Sequence, residues 1–110
     1  MKSLKNYSVP QQRHDMEELK SLTDFYAAVK EDNRIGTTHI SMYMALFQLY
    51  NLNAFSNPVC ISRSLVMDLA KISGLATYHK CIKELDAYGY IQYLPSYNPA
   101  ISSRVFIMKI

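Results

Sequence analysis

The chain of 110 residues is long enough for one domain, or one domain with an arm. Hydrophobic residues at 49% and charged residues at 19% exclude a disordered chain. No run approaches the ~20 apolar residues that a membrane helix requires, and no apolar signal core follows the basic start at Met1–Asn6, so the expectation is a cytoplasmic protein with no membrane partner. Net charge is a mild +3, but it is unevenly placed. Residues 1–35 carry six Lys/Arg and six Asp/Glu and balance, whereas Arg63, Lys71, Lys80, Lys83, Arg104 and Lys109 face only Asp68, Glu84 and Asp86 beyond them. Phosphate binding favours such an asymmetry.

Residues 1–14 read as a polar N-terminal arm containing Pro10, and residues 15–110 as the domain. A helix is expected from Asp15 to Asp32, with Met16, Leu19, Leu22, Phe25, Tyr26 and Val29 on one face and Asp15, Glu17 and Glu18 in its first turn. After a break at Asn33–Gly36, Thr37 or Thr38 can cap a second helix that runs to about Leu52. Ile40, Tyr43, Met44, Phe47 and Tyr50 form its stripe, widened by Met42 and Leu46, which makes it the centre of the core. Asn51–Pro58 is turn-rich and reads as a loop, and Val59–Ile61 is one short strand.

Ser62 caps a third helix, Arg63–Lys71, with Leu65, Val66, Leu69 and Ala70 inward. Ile72–Leu75 is a tight turn containing Gly74, and a fourth helix spans Ala76–Tyr88, ended by Gly89. Tyr78, Cys81, Ile82 and Leu85 face the core; Thr77, His79, Lys80, Lys83 and Glu84 face out. Tyr90–Leu94 and Arg104–Ile110 are strands around a loop with two prolines. The fold class is mostly α with a small antiparallel sheet (α+β).

Two short helices joined by a short turn containing Gly are the helix-turn-helix signature, and the hairpin after the second helix lies where a wing belongs. The run Ala76–Ile91 (ATYHKCIKELDAYGYI) resembles the recognition helix and following strand of winged helix-turn-helix DNA-binding regulators. More narrowly, Thr37–Tyr50 (TTHISMYMALFQLY) and Tyr90–Pro99 (YIQYLPSYNP) resemble small winged-helix proteins of Bacteroides-type bacteria, described as regulators or excisionase-like proteins of mobile elements. The resemblance covers roughly residues 15–110 and implies a winged helix with an added N-terminal helix. It implies double-stranded DNA as the partner, with transcription regulation or an accessory role in recombination as the task.

Lys80 and Lys83 share one helical face and suit phosphates or guanine edges. Thr77 and His79 lie near the start of the same helix, and Arg63 begins the preceding one, where backbone contacts are common. On the wing, Ser103 and Arg104 suit a phosphate and Tyr97 a sugar. The N-terminal helix either completes the core or pairs with a second copy; a homodimer on two half-sites is the expectation. Two other readings stand beside this one: a winged-helix protein-interaction module without DNA, and the DNA-binding part of a plasmid-type replication initiator.

No catalytic set is visible, so the chain reads as a non-enzyme without a cofactor. Gly36, Gly74 and Gly89 are isolated, and His14, His39 and His79 make no helical pair for a metal. Cys60 and Cys81 sit in apolar surroundings and read as two buried thiols.

Overall fold

The computed structural model describes residues 9–98 and 100–110, with side chains from residue 16 onward. Its element order is α1 (Val9–Lys30), α2 (Thr37–Leu52), β1 (Val59–Ile61), α3 (Arg63–Ala70), α4 (Leu75–Ala87), β2 (Ile91–Leu94) and β3 (Ser103–Ile107). Four helices and one small antiparallel sheet make an α+β fold dominated by helix. No helix among the described residues is long and apolar enough to cross a membrane.

α1 belongs to a unit of its own, separate from residues 34–109. It begins at Val9, six residues before the start expected from the acidic cluster, so the stretch 9–14 of the expected arm is helical; the rest of that arm lies outside the described residues. Pro10 does not prevent this, because the first turn of a helix has no use for its missing N–H. Asp15, Glu17 and Glu18 therefore lie beyond the first turn, which carries no acid. Lys30 in the last turn complements the helix dipole, and Lys20 pairs with Asp24 at 3.0 Å on the solvent side. Of the expected apolar stripe, Met16, Leu19 and Tyr26 are exposed.

In the unit 34–109, α2 packs against α3, α4, β1 and β3 and supplies its centre. Met42, Tyr43, Ala45, Leu46 and Phe47 are buried, while Ile40 and Met44 are only partly so. The buried arc is thus centred on the residues that merely widened the expected stripe, because α2 has neighbours on several sides. Gly36, not a threonine, is its N-cap, and the side chain of His39 at the third helical position accepts the Gly36 N–H at 3.0 Å. That is one half of a capping box, with imidazole doing the work of Glu or Gln.

Strand order is β1-β3-β2, with both pairs antiparallel. Val59, Val105 and Tyr93 align in one row, Ile91 and Ile107 in another; the row Cys60–Arg104–Leu94 and the pair Gln92–Phe106 occupy the opposite face. Val59, Ile61, Ile91, Val105 and Ile107 are buried, so the first of these faces meets the helices. β3 ends at Ile107 and not at Ile110; its ladder partners run out at Val59 and Ile91, and the Met108 N–H reaches the Tyr90 carbonyl at 3.3 Å just beyond. Asn57 extends the pairing from outside the ladder: its amide takes the Ile107 N–H at 2.9 Å and donates to the Ile107 carbonyl at 3.0 Å.

Cys60 corrects one expectation. It alternates outward between buried Val59 and Ile61 and is exposed, whereas Cys81 is buried. A period of two places every second residue of a strand on the other face, whatever its polarity.

Candidate nucleic-acid interface

Ser62 caps α3 by accepting the Leu65 N–H at 3.2 Å, as a serine before a helix should. The helix buries Val66 and Ala70, but Leu65 and Leu69, expected inward, are 45% and 44% exposed. Eight residues make barely two turns, and the narrow buried arc around Val66 and Ala70 leaves both leucines on its flank. Ser41 Oγ donates to the Ala70 carbonyl and ties the end of α3 to α2.

Lys71 closes α3 in the left-handed region at φ 60, with its N–H on the Asp68 carbonyl and the Ile72 N–H on the Met67 carbonyl. This is a Schellman ending with lysine in the glycine position. Ile72 turns inward and anchors the link, so the turn between the helices is Lys71–Gly74 and α4 starts one residue earlier than expected. Gly74 is its N-cap, with the Tyr78 N–H on the Gly74 carbonyl at 3.0 Å. α4 ends in the same motif as α3: Gly89 has φ +89, its N–H reaches the Asp86 carbonyl, and Tyr90 N–H reaches Leu85.

Tyr78, Cys81, Ile82 and Leu85 are the buried face of α4. At 100° per residue the direction opposite to them holds Ala76, Lys80, Lys83 and Ala87, all exposed. Two lysines thus stand between two alanines on the solvent side of the helix. Thr77 is exposed on one flank; His79, on the other, is half-buried and packs edge-on against Tyr78 with ring centroids 5.3 Å apart.

Glu84 is not simply outward. Its Oε1 lies 2.8 Å from His39 Nε2, across the gap to the first turn of α2. Since the Gly36 N–H occupies Nδ1, the proton of the neutral ring is on Nε2 and is donated to Glu84. This hydrogen bond, helped by the neighbouring Lys80, holds the Glu84 carboxyl below its ordinary pKa. The Tyr88 ring lies beside His39, and the Arg34 guanidinium sits 4.1 Å above that ring. Asp86 is also engaged, accepting the Tyr93 N–H at 3.3 Å and so fixing β2 to α4. Asp68 is exposed.

Arg63, the first residue of α3, is exposed and within electrostatic reach of Tyr78. Burial pushes the Tyr78 phenol up to about 12, the Tyr93 phenol adds to this, and Arg63 opposes it. Arg63 of α3 and Tyr93 of β2 are thus both within electrostatic reach of Tyr78 on α4. Burial also raises the Cys81 thiol, with Glu84 adding to the rise, which leaves it a packing group.

Arg104 is exposed on the outer face of the sheet, in a row with Cys60 and Leu94. Ser103 lies in the other row, opposite Ile61, and its Oγ accepts the Ser96 N–H at 3.0 Å, so it closes the hairpin loop. Tyr97 is 92% exposed at the tip.

Sequence reasoning overlooked His39, which reads as an isolated histidine. Its one local signal is its place three residues after Gly36, where a capping side chain belongs. Its bond to Glu84, 45 residues away, has no local signal. Among the described residues no three His, Cys, Asp or Glu side chains converge as a metal site would need. The chain matches no protein-family model, and no curated protein or solved structure shows significant similarity to it. The likeness of Ala76–Ile91 to recognition helices therefore rests on those residues themselves.

Proposed function

We propose that residues 34–109 form a winged-helix module that binds duplex DNA in the cytoplasm, acting as a regulator or mobile-element accessory factor and not as an enzyme. One observation carries the reading. The solvent face of α4, second helix of a helix-turn-helix, offers Ala76, Lys80, Lys83 and Ala87, while the acids of that helix are drawn aside by His39 and the Tyr93 N–H. Small residues beside lysines let a helix lie close in the major groove. Arg63 and Thr77 stand at the groove-entering end and Arg104 on the wing. His79 is partly occupied by Tyr78 and contributes at the margin. The exposed residues Met16, Leu19 and Tyr26 of α1 suit a contact between two copies, and paired copies suit DNA that carries two half-sites.

The test is fluorescence anisotropy of labelled duplexes over a range of salt. Binding should weaken by about 0.9 log unit per log unit of salt for each phosphate neutralised, and Lys80→Ala/Lys83→Ala should lower the slope by about two such increments. A duplex left unbound at low salt removes the reading.

A second reading, a protein-interaction module, is favoured by Leu65 and Leu69, which leave apolar surface on α3. It gains if duplexes do not bind and Leu65→Ser/Leu69→Ser changes the state of association of the protein.

A further inference from the structure

Ser96, Asn98 and Ser103 hold the loop between β2 and β3 together by bonds among themselves and to its backbone. Ser96 N–H on Ser103 Oγ closes its base at 3.0 Å. Inside, Asn98 N–H reaches Ser96 Oγ at 3.2 Å and the same hydroxyl donates to the Asn98 carbonyl at 3.1 Å. Asn98 Oδ1 accepts Ala100 N–H at 3.0 Å, and its carbonyl accepts Ile101 N–H at 2.9 Å. Ser and Asn thereby build the turn, which asks for no large apolar residue. Yet Tyr97 and Ile101 flank it and project into solvent, 92% and 57% exposed. Neither serves the core.

Two further facts say what they meet. From Ala87 to Ile110 the sequence holds no Asp or Glu, while Arg104 is exposed at the loop end of the hairpin, so no acid in the hairpin repels a polyanion. β2 also runs back along α4. Its Tyr93 N–H bonds to Asp86 near the helix end, and the strand packs against α4. The loop follows directly on that strand, at its end away from Ile91.

Resting on the DNA-binding reading above, we propose that Tyr97 and Ile101 are an apolar wedge that enters the adjacent minor groove, parts a base step and bends the duplex. An aliphatic side chain inserted between bases and an aromatic ring on the exposed sugar or base edge are how minor-groove proteins kink DNA. Arg104 then holds the flanking phosphate. An aromatic and an aliphatic residue beside a cation also suit a lipid interface, but two side chains bury little there, and the neighbouring α4 face favours the duplex.

The experiment is ligase-mediated circularisation of a duplex of about 120 base pairs, shorter than the ~150 base pairs over which DNA stays stiff, using the full chain. The wild type should raise the yield of circles about tenfold, since bending removes part of the elastic cost. Tyr97→Ala/Ile101→Ala should bind less tightly and, at concentrations where anisotropy shows the duplex saturated, should no longer raise the yield of circles. Wild-type protein that binds the duplex without promoting circles, or a double variant that circularises as well as wild type, overturns the wedge and leaves DNA binding intact. No wild-type binding at low salt overturns both. Sedimentation with vesicles of phosphatidylserine and phosphatidylcholine that depends on Tyr97 and Ile101, with no effect on circles, also overturns it and assigns the tip to membrane.

Discussion

His39 of α2 donates its Nε2 proton to Glu84 of α4 across 2.8 Å, while its other nitrogen caps its own helix through Gly36. One ring thus ties the start of the central helix to α4. The bond lowers the Glu84 pKa below its ordinary value of 4.5. A carboxyl whose folded pKa is depressed contributes stability that is fully present above the unfolded pKa and is lost as pH falls through the folded one. Urea midpoints of the wild type should therefore fall more steeply below about pH 4.5 than those of Glu84→Gln. Parallel acid limbs would show that the pair carries no pH-linked stability.

The matched endings of α3 and α4 differ in the residue held at positive φ: Lys71 at 60 and Gly89 at 89. A side chain costs about 1 kcal/mol there, whereas glycine is at ease. Lys71→Gly should raise unfolding free energy by about 0.5–1 kcal/mol, and Gly89→Ala should lower it by about 1 kcal/mol. Nothing lies within 4 Å of a Cβ built at Gly89, so a loss there reports backbone strain and not a clash. Chemical denaturation reads both, and equal signs would contradict the assignment.

Asn57 serves the Ile107 N–H and carbonyl together. Asn57→Ala removes both bonds and should cost about 1–2 kcal/mol at the usual net worth of a hydrogen bond. Asn57→Asp keeps the acceptor and loses the donor, so its cost should fall between. Hydrogen exchange at the Ile107 amide should quicken in Asn57→Ala and stay slow in Asn57→Asp.

The leucines of α3 and α4 are unequal. Leu85 is fully buried, whereas Leu69 is 44% exposed. Leu85→Ala should cost about 2–5 kcal/mol and Leu69→Ala about 1 kcal/mol or less. Thermal or denaturant unfolding separates the two; a large loss at Leu69 would place that residue in a core.

The sequence by itself determined the order of elements and, for α4, which residues turn inward. Apolar spacing drew the four buried residues of α4, the β-branched run Val59–Ile61 drew β1, and Ser62 and Gly89 marked helix ends. These are local signals, set by residues within one or two turns of one another. The lysine face of α4 was legible for the same reason: a helix with a known buried side has a known outward one.

Tertiary structure alone decided what depends on neighbours distant in sequence. Periodicity could not tell that Leu65 and Leu69 stay on the flank of α3, because an apolar side chain is buried only where another element arrives to cover it. Nor could it pair Glu84 with His39 or Asn57 with Ile107, since these bonds join residues 45 and 50 positions apart. Ser103 and Tyr97 stood together as wing residues in the sequence; folding turned one inward to close the loop and left the other at the tip. The physical reason is common to all of them: spacing fixes the direction of a side chain on its own helix or strand, and only the packed chain fixes what it meets.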